Sequence, residues 1–255
     1  MHVVPLPALA DNYIWLLHDD SGHAIVVDPG EAQPVEEALH ARKLKLCAIL
    51  LTHHHNDHIG GAAALRAAHG ALIYAPEDER ISAATHRVRD GETLILAQPE
   101  ARFQIIAVPG HTLSHIVYAG EGVLLCGDTL FSLGCGRLFE GTPAQMLSSL
   151  QRIASLPGDL LVCCGHEYTV ANGRFAQTVE PGNTALKQRL DDVAKLRAKQ
   201  QPSVPAPLSS ELACNPFLRV NSNDVIAWCR QHGAANDDPV ARFAALRSAK
   251  DGFQA

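Results

Sequence analysis

Between Thr52 and Gly61 the chain reads THHHNDHIGG, and no other segment limits so sharply what it can fold into. His53, His55, Asp57 and His58 fall within six positions, directly after the apolar run Leu46–Leu51 and just before an Ala-rich stretch, Gly60–His69. In extended backbone the period of two aims residues 53 and 55 the same way and turns His54 aside. Asp57 and His58 come at the turn into the following helix, where both can swing toward the same point. Neutral imidazole and carboxylate are natural ligands for zinc and similar divalent cations. The segment therefore predicts a metal site at the end of a buried strand.

The same arrangement recurs. The strand-like run Phe103–Val108 is followed by Pro109-Gly110-His111, Val123–Cys126 by Gly127-Asp128, and Leu160–Cys164 by Gly165-His166. In layered α/β folds, sites gather outside the carboxyl ends of strands. The candidate ligands are His53, His55, Asp57, His58, His111, Asp128 and His166. A catalytic zinc takes about three protein ligands and keeps a position for water. Seven ligands, with Asp128 shared, supply two metals at the roughly 3.5–4 Å spacing of two-metal hydrolases. A structural zinc favours cysteine, and the seven cysteines are not at finger spacings. His69, His86 and His232 are read as ordinary surface or core residues, and so in the first place is His115, which opens a strand four residues after His111, with a supporting or site role as its alternative.

Composition narrows the class. A chain of 255 residues buries roughly 70–75% of its unfolded surface without staples. No apolar run approaches the 18 or so residues of a membrane span. The N-terminus, MHVVPLPALADNYIWLL, lacks a basic leader region and reads as a first strand, and an odd cysteine count fits a reducing compartment. A cytoplasmic protein is expected. Residues 1–168 carry 10 basic and 19 acidic side chains, a net −9; residues 169–255 carry 11 and 8, a net +3. That balance argues against a nucleic-acid partner and is compatible with bound cations. Helical patterns at Gln33–Arg42 and Pro143–Leu156 alternate with the strand runs, which predicts layered α/β. Beyond residue 168 the patterns at Thr184–Gln200, Asn223–His232 and Pro239–Lys250 are helical, joined by a Pro-rich link, Gln201–Leu208, with no convincing strand. Two domains follow, 1–168 and a smaller all-helical one, 169–255.

These residues resemble the metallo-β-lactamase superfamily, whose THxHxDH signature is matched by Thr52, His53, His55, Asp57 and His58, and its later ligands by His111, Asp128 and His166. Asp28 in VVDPG matches the family's early aspartate, which is either structural or a support behind the ligands. The segments GDTLFSLGCGRLFEGT (127–142), CGHEYT (164–169), VEPGN (179–183) and NPFLR (215–219) are similar to the hydroxyacylglutathione hydrolase (glyoxalase II) family. The resemblance implies a four-layer αββα sandwich over residues 1–168 and a C-terminal helical substrate-binding domain. It also implies one metal on His53, His55, His111 and Asp128, and a second on Asp57, His58, His166 and Asp128. Zinc is the expected metal, with iron and manganese open. Arg137, Tyr168, Arg247 and Lys250 match the family's glutathione contacts, while Phe139 stands where some relatives have tyrosine. Read from sequence alone, Arg247 and Lys250 would be a solvated helix face.

The implied reaction is hydrolysis of S-(2-hydroxyacyl)glutathione, typically S-D-lactoylglutathione, to glutathione and a 2-hydroxy acid in methylglyoxal disposal. A hydroxide bridging the metals is the expected nucleophile, with Asp57 and Asp128 as the candidate catalytic carboxylates. A thiolate of pKa roughly 8–9 leaves without a strong general acid. A β-lactamase is disfavoured by the missing export signal, and a nuclease by the acidic catalytic region. A single-iron persulfide dioxygenase is disfavoured because Asp57, His58 and His166 supply a second metal position. A small-molecule substrate, no membrane partner and a monomeric state complete the expectation.

Overall fold

The computed structural model describes residues 1–234 and 238–254. They form two compact units: residues 1–107, 114–127 and 163–166 in the first, and residues 108–113, 128–162 and 167 onward in the second. In chain order the elements begin with β1 (His2–Ala8), β2 (Asn12–His18), β3 (His23–Val27), α1 (Gln33–Arg42), β4 (Lys45–Leu50), α2 (Asn56–Ile59) and α3 (Ala62–His69). Next come β5 (Leu72–Pro76), β6 (His86–Val88), β7 (Thr93–Ala97), β8 (Glu100–Ala107), β9 (Ile116–Gly120) and β10 (Val123–Gly127). The rest are β11 (Leu130–Phe131), β12 (Gly134–Cys135), α4 (Pro143–Ala154), β13 (Leu161–Cys164), α5 (Thr169–Val179), α6 (Thr184–Ala198), β14 (Ala206–Pro207), α7 (Leu208–Cys214), α8 (Asn223–Gln231) and α9 (Pro239–Gly252).

In the first unit, β1 to β6 make one sheet in sequence order. β1, β2 and β3 pair antiparallel, whereas β3, β4, β5 and β6 run parallel. The inner parallel strands are mostly apolar, with residues 24–27, Ile49, Leu50, Ile73 and Ala75 buried, as covered faces require, whereas His86 and Arg87 of the edge strand β6 are exposed. Ile14, Leu16, Val26, Ile49 and Ile73 form a core with Val35 and Leu39 of α1 and Leu65 of α3. The second sheet of this unit has the order β13-β10-β9-β8-β7. β7 alternates exposed and buried positions, which suits an edge strand with one wet face. The Trp15 indole N–H donates to the Cys164 carbonyl at 2.9 Å and the Tyr118 hydroxyl to the Leu51 carbonyl at 2.9 Å, tying the two sheets together.

Parallel pairing decides where chemistry can happen. The carboxyl ends of β3, β4 and β5 lie side by side, so Asp28, the Thr52–His58 loop and Asp78 emerge on one edge. The start of β9 joins them, because the Ile116 N–H donates to the Thr52 carbonyl at 3.0 Å.

In the second unit, β11 and β12 form a tight hairpin. Its turn is held by buried Glu211, which accepts from the Ser132 hydroxyl and the Leu133 N–H at 2.7 Å each. Helix α4 starts on a capping box in which Thr142 and Gln145 bond reciprocally. Two expectations for the region after 168 need correction. Residues 206–207 form a short strand, β14, antiparallel to Leu161 and Val162, so the region is not wholly helical. The Pro-rich stretch is not a loose link: Ser203, Val204 and Ala206 are buried, and the Arg189 guanidinium donates to the Ser203 carbonyl at 2.7 Å. Helices α5 and α7 also lie where the sequence showed no clear period. No helix of the described residues is long and apolar enough to cross a membrane.

Gly127 closes β10 with φ +47°, a left-handed conformation, and a Cβ there would collide with the Thr52 hydroxyl and the His115 ring. Gly127→Ala is expected to lower unfolding stability by roughly 2 kcal/mol or more, from left-handed strain plus the collision. Urea denaturation checks this; an unchanged midpoint would show that the turn relaxes freely.

Candidate metal centre and substrate cavity

The first unit brings together His53, His55, Asp57, His58 and His166. Each is placed by a short device. Asp28 sits at the end of β3 with φ +50°, and its carboxylate accepts from the Thr52 N–H at 2.8 Å and the Thr52 hydroxyl at 2.7 Å. Its Oδ2 also lies 3.1 Å from His58 Nδ1. His166 Nδ1 lies 2.7 Å from Asp11 Oδ1. A carboxylate only accepts, so both Nδ1 atoms carry the ring proton and both Nε2 atoms present lone pairs. Those two Nε2 atoms each lie 3.4 Å from Asp57 Oδ2.

Three acceptors facing one another repel unless something positive stands among them. Protonating the rings is one solution, and it holds the Asp57 carboxyl well below the usual carboxylate range, His166 having the larger effect and His58 the next. A divalent cation satisfies the same three lone-pair atoms without charging either ring. The donor set and the carboxylates behind it fit such an ion, and the ligand atoms of Asp57, His58 and His166 all lie within 4.8 Å of one another.

His53 shows the same logic. The Thr52 hydroxyl gives its proton to Asp28, so it accepts from His53 Nδ1 at 3.0 Å. His53 Nε2 is thereby left as a lone pair 3.2 Å from His55 Nδ1. The His53 ring stacks on fully buried His115, with centroids 4.6 Å apart and planes at 15°, so His115 supports that ring from behind. His54 points elsewhere, with Nδ1 3.5 Å from Asp78 Oδ2.

The second unit holds the other six predicted residues. His111, Asp128, Arg137, Tyr168, Arg247 and Lys250 all line one cavity of about 470 Å³, with Phe131, Phe139 and Phe253 among its walls. His111 Nδ1 donates to the Arg137 carbonyl at 2.9 Å, which leaves Nε2 as an acceptor 3.5 Å from Asp128 Oδ2. Glycine is required at 136, since a Cβ there would strike the Asp128 carbonyl. Arg247 is only 6% exposed, so it is no solvated face. Its guanidinium donates to the Cys135 carbonyl at 2.7 Å and to Asp251 at 2.9 Å. Arg137 lies 3.6 Å from the same Asp251 oxygen. Burial, and then Arg247 and Arg137 nearby, lower the pKa of Lys250, as expected where cations are crowded together without enough anions.

The profile described as "Metallo-beta-lactamase superfamily" matches residues 10–166, and "Hydroxyacylglutathione hydrolase C-terminus" matches residues 167–253. The hydroxyacylglutathione hydrolase of Xanthomonas campestris pv. campestris (strain B100) is 50% identical over 257 residues, covering all of both chains. The chain belongs to the hydroxyacylglutathione hydrolase family. Its fold is the metallo-β-lactamase fold with the family's C-terminal helical region. Two solved structures share it at TM-score 0.66 and 24% identity: the BLEG-1 B3 metallo-β-lactamase, covering 86% of this chain and 100% of that one, and ETHE1 from Myxococcus xanthus, covering 98% of each.

For a hydroxyacylglutathione hydrolase chain, the sequence motifs left out Asp11 and Asn12. The Asn12 amide donates to Asp57 Oδ2 at 3.1 Å, and Asp11 orients His166 from 155 residues away. No local spacing signals either contact. Asp28 is the supporting residue that the motif did indicate. Asp28→Asn keeps its shape but replaces one acceptor oxygen with a donor. It is expected to weaken divalent-metal binding about 10- to 100-fold and to cost about 1–3 kcal/mol of stability. Chelator competition and urea denaturation measure the two, and an unaltered metal affinity would remove Asp28 from the site's support.

Proposed function

We propose that this chain hydrolyses the thioester of S-(2-hydroxyacyl)glutathione, with S-D-lactoylglutathione as the representative substrate, yielding glutathione and a 2-hydroxy acid as in methylglyoxal disposal. The observation that carries the reading is the composition of the second-unit cavity. Metal-type donors, His111 and Asp128, share it with three cationic side chains, Arg137, Arg247 and Lys250. A glutathione thioester has the matching parts: a reactive carbonyl and a peptide with two carboxylates.

The ligand assignment is that of two divalent ions. His53, His55, His111 and Asp128 would hold one, and Asp57, His58, His166 and Asp128 the other. Zinc is the first candidate, and iron and manganese suit the same donors. Bound there, such ions supply Lewis acidity, lowering the pKa of water and stabilising charge that develops on a carbonyl oxygen. The chain's own residues do the rest. Asp57, held by His58, His166 and Asn12, orients the attacking water. Arg137, Arg247 and Lys250 bind the carboxylates of the tripeptide. The aromatic walls, including Tyr168, Phe131 and Phe139, exclude water from its apolar faces. The glutathione thiol has a pKa near that of cysteine, about 8.5, so it departs as thiolate and no acid is needed.

Residues 1–168 are assigned as the catalytic domain and 169–255 as the helical substrate-binding domain. The working state is a monomer in the cytoplasm, without nucleic-acid partners.

The primary test pairs metal analysis of purified protein with a lactoylglutathione hydrolysis assay. Two metals per chain and thioesterase activity are expected, and one bound iron without hydrolysis would overturn the reading. Asp128→Ala is expected to strip both metals, and full metal content in that variant would rule out its bridging role. Arg137→Ala with Lys250→Ala is expected to lower kcat/KM for the glutathione thioester about tenfold or more, mainly through KM. Arg247 is spared because it also holds the backbone at Cys135. An equal loss on a small uncharged thioester would remove the cations from substrate binding.

A further inference from the structure

The turn between β1 and β2 reaches two metal ligands at once. Asn12 is 7% exposed, and its side-chain N–H groups donate to Asp57 Oδ2 at 3.1 Å and to the Asp57 carbonyl at 3.3 Å. The Asn12 backbone forms an isolated antiparallel bridge with His166, and the Tyr13 N–H donates to the Gly165 carbonyl at 2.8 Å. Its neighbour Asp11 accepts from His166 Nδ1 at 2.7 Å. Adjacent residues of one turn thus hold ligands from positions 57 and 166, which belong to the same triad.

Asp57 needs such a hold. Its side chain is 39% exposed, so packing alone does not select a rotamer. On its backbone side it is pressed against Gly30, where a Cβ would strike its carbonyl. The Asn12 amide supplies the missing constraint on the side-chain oxygen. Position 12 must present a donor: at 3.1 Å from a carboxylate oxygen, an acceptor would repel it.

We propose that the Asp11–Asn12 turn is the positioning element of the metal position formed by Asp57, His58 and His166, and that it sets this ion's affinity apart from that of the other. Asn12 fixes the carboxylate and Asp11 fixes the tautomer and ring plane of His166. Neither touches substrate in this role; both act through ligands. The inference rests on the two-metal reading given above.

The experiment titrates metal-free protein with Zn2+ under chelator competition, with unfolding of the metal-free form recorded alongside. Asn12→Leu keeps the volume and removes the donor. Asp11→Ala alters a side chain that is 43% exposed and leaves the core intact. Each is expected to weaken one of the two binding steps about 10- to 100-fold, with the other within about twofold. Asp11→Asn retains an acceptor for His166 Nδ1 and is expected to restore most of the loss. Wild-type affinities in Asn12→Leu and Asp11→Ala, or equal weakening of both steps, would overturn the proposal. Should the wild type itself take up a single equivalent, the two-metal reading falls instead. The variants then still decide the role of the turn by whether that one affinity drops.

Discussion

The carboxylate of Asp28, buried at the end of β3, is the interaction on which the first unit's site depends. It accepts from the Thr52 backbone, the Thr52 hydroxyl and His58. Through Thr52 it sets the tautomer of His53, and directly it sets that of His58. One anion thus decides which nitrogen of two rings faces inward. It can do so only because β3 and β4 are parallel neighbours, which puts residues 28 and 52 at the same end of adjacent strands.

The second unit solves a different problem, the concentration of positive charge. Arg137, Arg247 and Lys250 crowd one cavity, and Asp251 is the carboxylate that bridges the two guanidiniums. Arg247 is buried yet tolerated because it has protein acceptors in the Cys135 carbonyl and Asp251 and lies over the Phe217 ring at 5.3 Å. The hairpin that carries Cys135 is itself anchored by Glu211. Burial raises the pKa of that carboxyl, while the Ser132 and Leu133 bonds act in the opposite direction. The cationic cavity and the local fold therefore share the same few polar contacts.

Much of this was legible beforehand where the signal is local. The HxHxDH spacing behind a buried strand singled out His53, His55, Asp57 and His58, side chains that the structure brings together, and the period of two set aside His54, which lies against Asp78. The capped start of α4 followed from Thr142 and Pro143. What was not legible depends on contacts distant along the chain. Asp11 and Asn12 look like ordinary turn residues until His166 and Asp57 are folded against them. The stretch 201–208 has a linker's composition, yet it packs, because Arg189 and the pairing of β13 with β14 give its backbone partners. Arg247 reads as a solvated helix charge because a helical period says nothing of what lies opposite.

By itself the sequence determined the chemistry available: imidazoles and carboxylates behind buried strands, a glycine just before His111, Asp128 and His166, and basic residues near the C-terminus. Those choices are local, since donor type, strand period and turn conformation are properties of a few adjacent residues. Only the tertiary structure decided which nitrogen of His53, His58, His111 and His166 is left as a lone pair, which carboxylates stand behind His58 and His166, and which cations share a cavity. These depend on strand neighbours and on directional hydrogen bonds between residues up to 155 positions apart, which no local pattern encodes.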